Sequence, residues 1–284
     1  MMSPNIKLHK IFYDDQSRES IHPPFLPLNN THGPSGWFEL YPILCYLENH
    51  QLDESCWYGF FSPKFPQKAQ LDLKTVFDLI ENNPSAEVAL FSPNWVGIVW
   101  DRNVWVSGEK HHPGMIAAAQ AFFDQIGHTE DLHQEIGDLT NSVYCNYIIA
   151  KPRFWQDWAK LARAYFDYVE KSPAASADKH ATAHPGPSSY KLKTFVQERL
   201  ACWLLSRKKY SVVIPKYSRQ CIPSPQDYNS SIKTCLNIAD QFKRLARREF
   251  PGAMTGYRMA CHVGSKLVSR QRSKEMATDA NSDF

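Results

Sequence analysis

At 284 residues, with 43% hydrophobic and 21% charged residues, the chain has the composition of a globular protein, not of a disordered or fibrous one. None of its apolar stretches approaches the roughly 20 residues of a membrane span, and residues 1–10 lack the apolar core of a leader peptide, so a soluble cytoplasmic protein is expected. The net charge of +3 is uneven: residues 240–275 hold nine Lys or Arg against three acids, so the rest of the chain is acidic, which argues against a general nucleic-acid-binding surface.

Residues 10–13 and 57–61, rich in aromatic and β-branched side chains, predict strands. Residues 72–82 set Leu73, Val76, Phe77 and Ile80 on one helical face, and a strand is expected at 87–91. A second helix over 114–126 carries Met115, Ala119, Phe122 and Ile126, followed by a strand at 143–150. Pro152 suits the first turn of a long helix with Phe154, Trp158, Leu161, Tyr165 and Val169 at spacings of three and four. Residues 172–189, dominated by Ala, Ser and Pro without periodicity, read as a mobile loop. A helix over 191–206, a strand at 210–214 and a Pro-containing loop at 222–225 follow. From 231 the chain reads as helical and basic, fraying after Arg270. This alternation predicts an α/β sheet flanked by helices, with a main domain at 1–230 and a tail at 231–284.

Seven scattered cysteines without a C-x-x-C arrangement argue against both a disulfide framework and a structural zinc site, and suit a reducing cytoplasm. P-loop, Rossmann glycine, nucleophile-elbow and zincin motifs are all missing from the sequence. The adjacent His111 and His112 point in different directions on any regular element, so a structural role for His111 is preferred to shared metal ligation. Trp155 and Trp158 read as core.

Two Phe-Ser-Pro triplets, at 60–64 and 90–94, end predicted strands at their carboxyl edge, where ligands bind in open α/β sheets. Ser62, Lys64, Ser92 and Asn94 would line a cleft there, with Lys64 suited to an anion. On the helix over 191–206, Arg199 falls on the apolar face and needs an anionic group or a carboxylate partner, while Glu198 flanks that face. A structural ion pair for Arg199 with a solvated Glu198 stands beside a phosphate-binding role.

Several segments together resemble a family of bacterial glycosyltransferase-like proteins of polysaccharide and lipopolysaccharide assembly, related to the GT-A fold. They are Trp37-Phe38-Glu39-Leu40, Tyr46-Leu47-Glu48-Asn49, Tyr58-Gly59-Phe60-Phe61-Ser62-Pro63-Lys64-Phe65, Asn103-Val104-Trp105, Gly108-Glu109 and His112-Pro113-Gly114, then Cys145-Asn146-Tyr147-Ile148-Ile149-Ala150 and Gln197-Glu198-Arg199-Leu200. The resemblance spans roughly residues 10–215 and implies a GT-A-like mixed sheet and a transferase using a nucleotide-sugar donor. It places Glu39, Glu198 and Arg199 at the donor site, and His112 and Asn146 on the acceptor side. Metal-dependent members carry an Asp-x-Asp that holds a divalent cation; this chain has none, so either a metal site is built otherwise or cations from Lys64 and Arg199 neutralise the diphosphate.

The expected function is sugar transfer to a glycan or lipid-linked glycan, with Glu198 as first candidate base and Glu109 as second. The rival is a non-catalytic carbohydrate- or nucleotide-binding scaffold that keeps the fold. A basic amphipathic stretch around Phe242–Phe250 would suit peripheral contact with the anionic inner face of the cell membrane.

Overall fold

The computed structural model describes residues 5–65, 68, 72–92, 95–171, 190–215 and 228–282, with side chains as far as Lys274. Strands β1 (Ile6–Phe12), β2 (Phe25–Asn29), β3 (Trp57–Phe61), β4 (Val88–Leu90), β5 (Ile148–Ala150) and β6 (Val212–Val213) form a mixed sheet in the order β2-β1-β3-β5-β4-β6. β5 runs antiparallel to its neighbours β3 and β4, while the pairings of β1 with β2 and β3, and of β4 with β6, are parallel. The carboxyl ends of β1, β3 and β4 therefore share one edge, and β5 begins at that edge.

Alternation along β3 serves both faces of the sheet. Tyr58 and Phe60 enter one buried cluster, Trp57 and Phe61 the other. The larger cluster is covered by α2 (Leu40–Asn49), α6 (Met115–Gln125), α7 (Pro152–Lys171), α8 (Leu192–Gln197) and α9 (Leu200–Arg207), the smaller by α3 (Leu73–Glu81). The five stripe residues of α7 are all buried, as its spacing predicts, and the Trp155 indole donates to the Tyr58 carbonyl at 2.9 Å, tying helix to sheet. Short helices α1 (Asp15–Glu19), α4 (Trp95–Trp100) and α5 (Val104–His111) complete this part.

Three local departures from the sequence pattern matter. The strand expected over 143–150 is reduced to Ile148–Ala150, because Cys145 (φ 62°) and Asn146 (φ 52°) adopt left-handed backbone that cannot pair. The helix expected over 191–206 breaks at Glu198–Arg199 into α8 and α9. Strand β2 carries Pro27, which a sheet tolerates at an edge position. The expected loops at 172–189 and 222–225 lie outside the described residues.

The C-terminal region is a helical hairpin of α10 (Ser230–Arg247) and α11 (Ala253–Ser282), the latter running past Arg270, where fraying was expected. Ile232, Leu236, Ala239 and Tyr257 pack with Trp95, Val96 and Val99 of α4. Within the basic stretch expected to face a membrane, one cation is buried in this contact and two are held in ion pairs. Lys243 is fully buried, donates to the carbonyls of Ile98 (2.6 Å) and Asp101, and lies under the Tyr257 ring; burial lowers its pKa to about 8. Arg244 pairs with Asp240 at 2.7 Å and Arg247 with Asp138 at 2.8 Å. No helix among the described residues is long and apolar enough to cross a membrane.

The two hairpin helices approach closely because Gly256 has no side chain: a Cβ there would lie 2.4 Å from the Phe242 ring. Gly256→Val is expected to lower stability by about 1–3 kcal/mol through overpacking, read by chemical denaturation. An unchanged midpoint would show that the hairpin separates without cost.

Candidate functional site

At the carboxyl edge of the sheet lies a cavity of about 420 Å³, lined by Tyr13, Phe38, Glu39, Ser62, Pro63, Lys64, Lys68, Tyr190, Thr194, Phe195 and Glu198. Each residue arrives by a separate local rule. Tyr13 follows β1, and Ser62 and Lys64 follow β3 where Pro63 stops the ladder. Glu39 occupies the N-cap of α2, just after Phe38, whose positive φ of 26° turns the chain inward. Thr194, Phe195 and Glu198 lie on one face of α8 and its C-cap. The Lys68 amide donates to the Lys64 carbonyl at 3.0 Å, so the two lysines stand four residues apart on one turn.

The electrostatics are those of two carboxylates forced together. Removal from water raises the pKa of Glu39 to about 7, with the nearby Glu198 pushing in the same direction and Lys68 opposing. Glu198 is also raised by desolvation, against the pull of Arg199 and Lys68, although 32% of its side chain stays accessible from the cavity. Burial likewise raises Tyr13, and Glu39 adds to it. The Cys145 Sγ lies 3.8 Å from Lys68 Nζ, yet burial and Glu198 push its thiol up to about 12, which favours the protonated form. Lys64 and Lys68 are exposed, and neither forms an ion pair among the described residues. The rim is cationic and the interior acidic.

The sequence-predicted residues divide. Glu39, Ser62, Lys64 and Glu198 are brought together in the cavity wall; the Ser62 Oγ is 3.3 Å from the Tyr147 hydroxyl, which fixes it. Glu109 is elsewhere: its two oxygens accept from the amides of Gly114 (2.6 Å) and Ile116 (2.7 Å), capping the start of α6, so it is occupied structurally. Ser92, expected in the cleft, is buried and accepts from the Tyr144 amide at 3.3 Å. Asn94 lies outside the described residues.

Arg199 does not reach the cavity as a diphosphate ligand. Its guanidinium sits behind the wall, 5% exposed, and donates to the carbonyls of Val104 (2.9 Å) and Phe195 (2.6 Å). It reaches Glu198 Oε2 only at 4.0 Å. Gly108 makes room for it, because a Cβ at that position would meet the guanidinium at 2.8 Å and Met115 Cε at 2.3 Å. His112 stacks on Phe195 with ring centroids 3.4 Å apart, one layer behind the wall. Asn146 is buried, with an amide oxygen lacking a partner among the described residues, and does not line the cavity.

Comparison with protein-family models, curated proteins and solved structures finds no match. Sequence reasoning passed over Tyr13, Phe38, Lys68, Tyr190, Thr194 and Phe195. The i, i+4 spacing of Lys68 from Lys64, and of Thr194 from Glu198, was the signal present for two of these positions.

Holding Glu39 near 7, against 4.5 for an ordinary glutamate, has a cost. Between these pH values the folded protein binds the proton that the unfolded chain releases, so stability falls as pH rises through the window, by about 2–3 kcal/mol with allowance for solvent in the cavity mouth. Glu39→Gln is therefore expected to raise the melting temperature by several degrees at pH 8 and far less at pH 5. Thermal melts at the two pH values check this; equal shifts would separate Glu39 from the effect.

Proposed function

We propose that the chain is a glycosyltransferase of GT-A-like type, moving a sugar from a nucleotide-activated donor to a glycan or lipid-linked glycan acceptor in bacterial surface polysaccharide synthesis. The observation that carries the reading is the cavity itself: Glu39 and Glu198 inside, Lys64 and Lys68 at the rim, and the rings of Tyr13, Phe38, Tyr190 and Phe195 around them. Carboxylates bind and deprotonate hydroxyls, aromatic faces stack on the apolar faces of sugars, and a lysine pair suits the phosphates of a leaving nucleotide. A volume of about 420 Å³ falls within the ~300–1,000 Å³ range of small-molecule sites. The position of the cavity at the carboxyl edge of an α/β sheet, where such sheets bind ligands, supports the reading.

In the proposed reaction the acceptor hydroxyl oxygen forms its bond to the anomeric carbon while its proton passes to a Glu198 oxygen. The bond from the anomeric carbon to the donor phosphate oxygen breaks, and its electron pair leaves with the phosphate, opposite Lys64 and Lys68. Desolvation strengthens Glu198 as a base, and Arg199 behind it keeps the carboxylate from rising too far. Glu39, half protonated near neutrality, is suited to donate a hydrogen bond to a sugar hydroxyl.

Glu198→Gln is expected to leave nucleoside-diphosphate binding nearly intact and to reduce transfer or donor hydrolysis about 10²–10⁴-fold, assayed across a panel of nucleotide sugars. Wild-type turnover in the folded variant removes Glu198 from the chemistry. Nucleotide binding without turnover by the wild-type protein would favour the binding-scaffold reading. Because the sequence has no Asp-x-Asp and the rim supplies its own cations, activity is expected to survive EDTA. Loss on chelation, with recovery in manganese or magnesium, would overturn this.

A further inference from the structure

The C-terminal hairpin carries charge that the interior does not use. From Ala253 to Lys274, α11 holds five Lys or Arg and no acid, and in the whole stretch from Arg248 to Lys274 the only acid is Glu249. One side of α11 is committed: Ala253, Tyr257 and Gly264 are buried against α4 and α10, with Gly264 set against the Trp100 ring. At 100° per residue, Met259, Val263, Lys266 and Arg270 fall together within an arc of about 60°, away from that buried side. All four are exposed, and neither Lys266 nor Arg270 forms an ion pair among the described residues. Met259 is 66% and Val263 49% exposed, and Phe250, at the tip joining the two helices, is 63% exposed. Cations alone would suit any polyanion. Large apolar side chains interleaved with them suit a surface that offers both anionic headgroups and a hydrocarbon layer beneath.

We propose that the outer face of α11, with Phe250 at the hairpin tip, docks on an anionic lipid bilayer. Lys266 and Arg270 lie against the headgroups, and Met259, Val263 and Phe250 enter the headgroup–acyl boundary. This surface is distinct from the basic stretch at 243–247, whose cations are buried or paired. It does not depend on the chemistry of the cavity.

The full chain is mixed with phosphatidylglycerol–phosphatidylcholine vesicles or pure phosphatidylcholine vesicles and sedimented. Binding to the anionic vesicles alone is expected, weakening as salt rises. Lys266→Ala with Arg270→Ala should lower the partition coefficient about 30-fold, from a contribution of about 1 kcal/mol per cation. Met259→Ser with Val263→Ser should weaken binding at every salt concentration while the melting temperature stays at the wild-type value, since both side chains are exposed. The proposal is overturned if the protein stays in the supernatant at low salt, if both double variants bind like wild type, or if duplex nucleic acid at equal salt displaces the protein from the vesicles.

Discussion

A guanidinium buried behind the cavity wall is the constraint on which the site depends. Arg199 cannot be left unpaired in the interior, and the carbonyls it needs come from two different elements, Val104 on α5 and Phe195 on α8. Meeting both demands holds α5 against the break between α8 and α9. That break turns the adjacent Glu198 toward the cavity and leaves its carboxylate at the edge of the Arg199 field, 4.0 Å away. Gly108 belongs to the same arrangement, since any side chain there would occupy the guanidinium's space. Arg199 thus shapes the cavity from behind its wall, through position and potential.

The cavity assembled in front of it works against stability. Two carboxylates share one poorly hydrated space, Glu39 is held near 7, and the two lysines that would relieve them stand at the rim in solvent. Two left-handed residues, Cys145 and Asn146, stop β5 short at the same edge. Such concentrations of like charge and unusual backbone persist where the surrounding packing over-determines them. Here that packing is the aromatic layer of Phe195 on His112 and the two buried clusters on the faces of the sheet.

The hairpin follows a similar logic with opposite charge. Lys243 is tolerated in an apolar contact because it donates to carbonyls at the C-terminal end of α4, where the helix dipole favours a cation. It therefore fastens the hairpin to the sheet-bearing part of the molecule, while Arg244 and Arg247 are held by Asp240 and Asp138. Residues that make a uniform basic run in the sequence take different roles once one side of each helix is committed to packing.

The sequence alone determined what depends on local periodicity. The stripe of α7, the strand Trp57–Phe61, the helix around Val76 and the turn at Ser62-Pro63 follow from spacings that tertiary contacts did not need to override. It also singled out Glu39, Ser62, Lys64 and Glu198, and the need of Arg199 for a partner. Tertiary structure decided which partner that was: backbone carbonyls, which no side-chain pattern encodes. It likewise placed Glu109 on the amides of α6 and Ser92 against Tyr144, because hydrogen bonds between distant segments leave no spacing signal. Tyr13, Lys68 and Tyr190 joined Glu39 and Glu198 only through the order of the strands, since the cavity forms where the ends of non-neighbouring segments meet at one edge of the sheet.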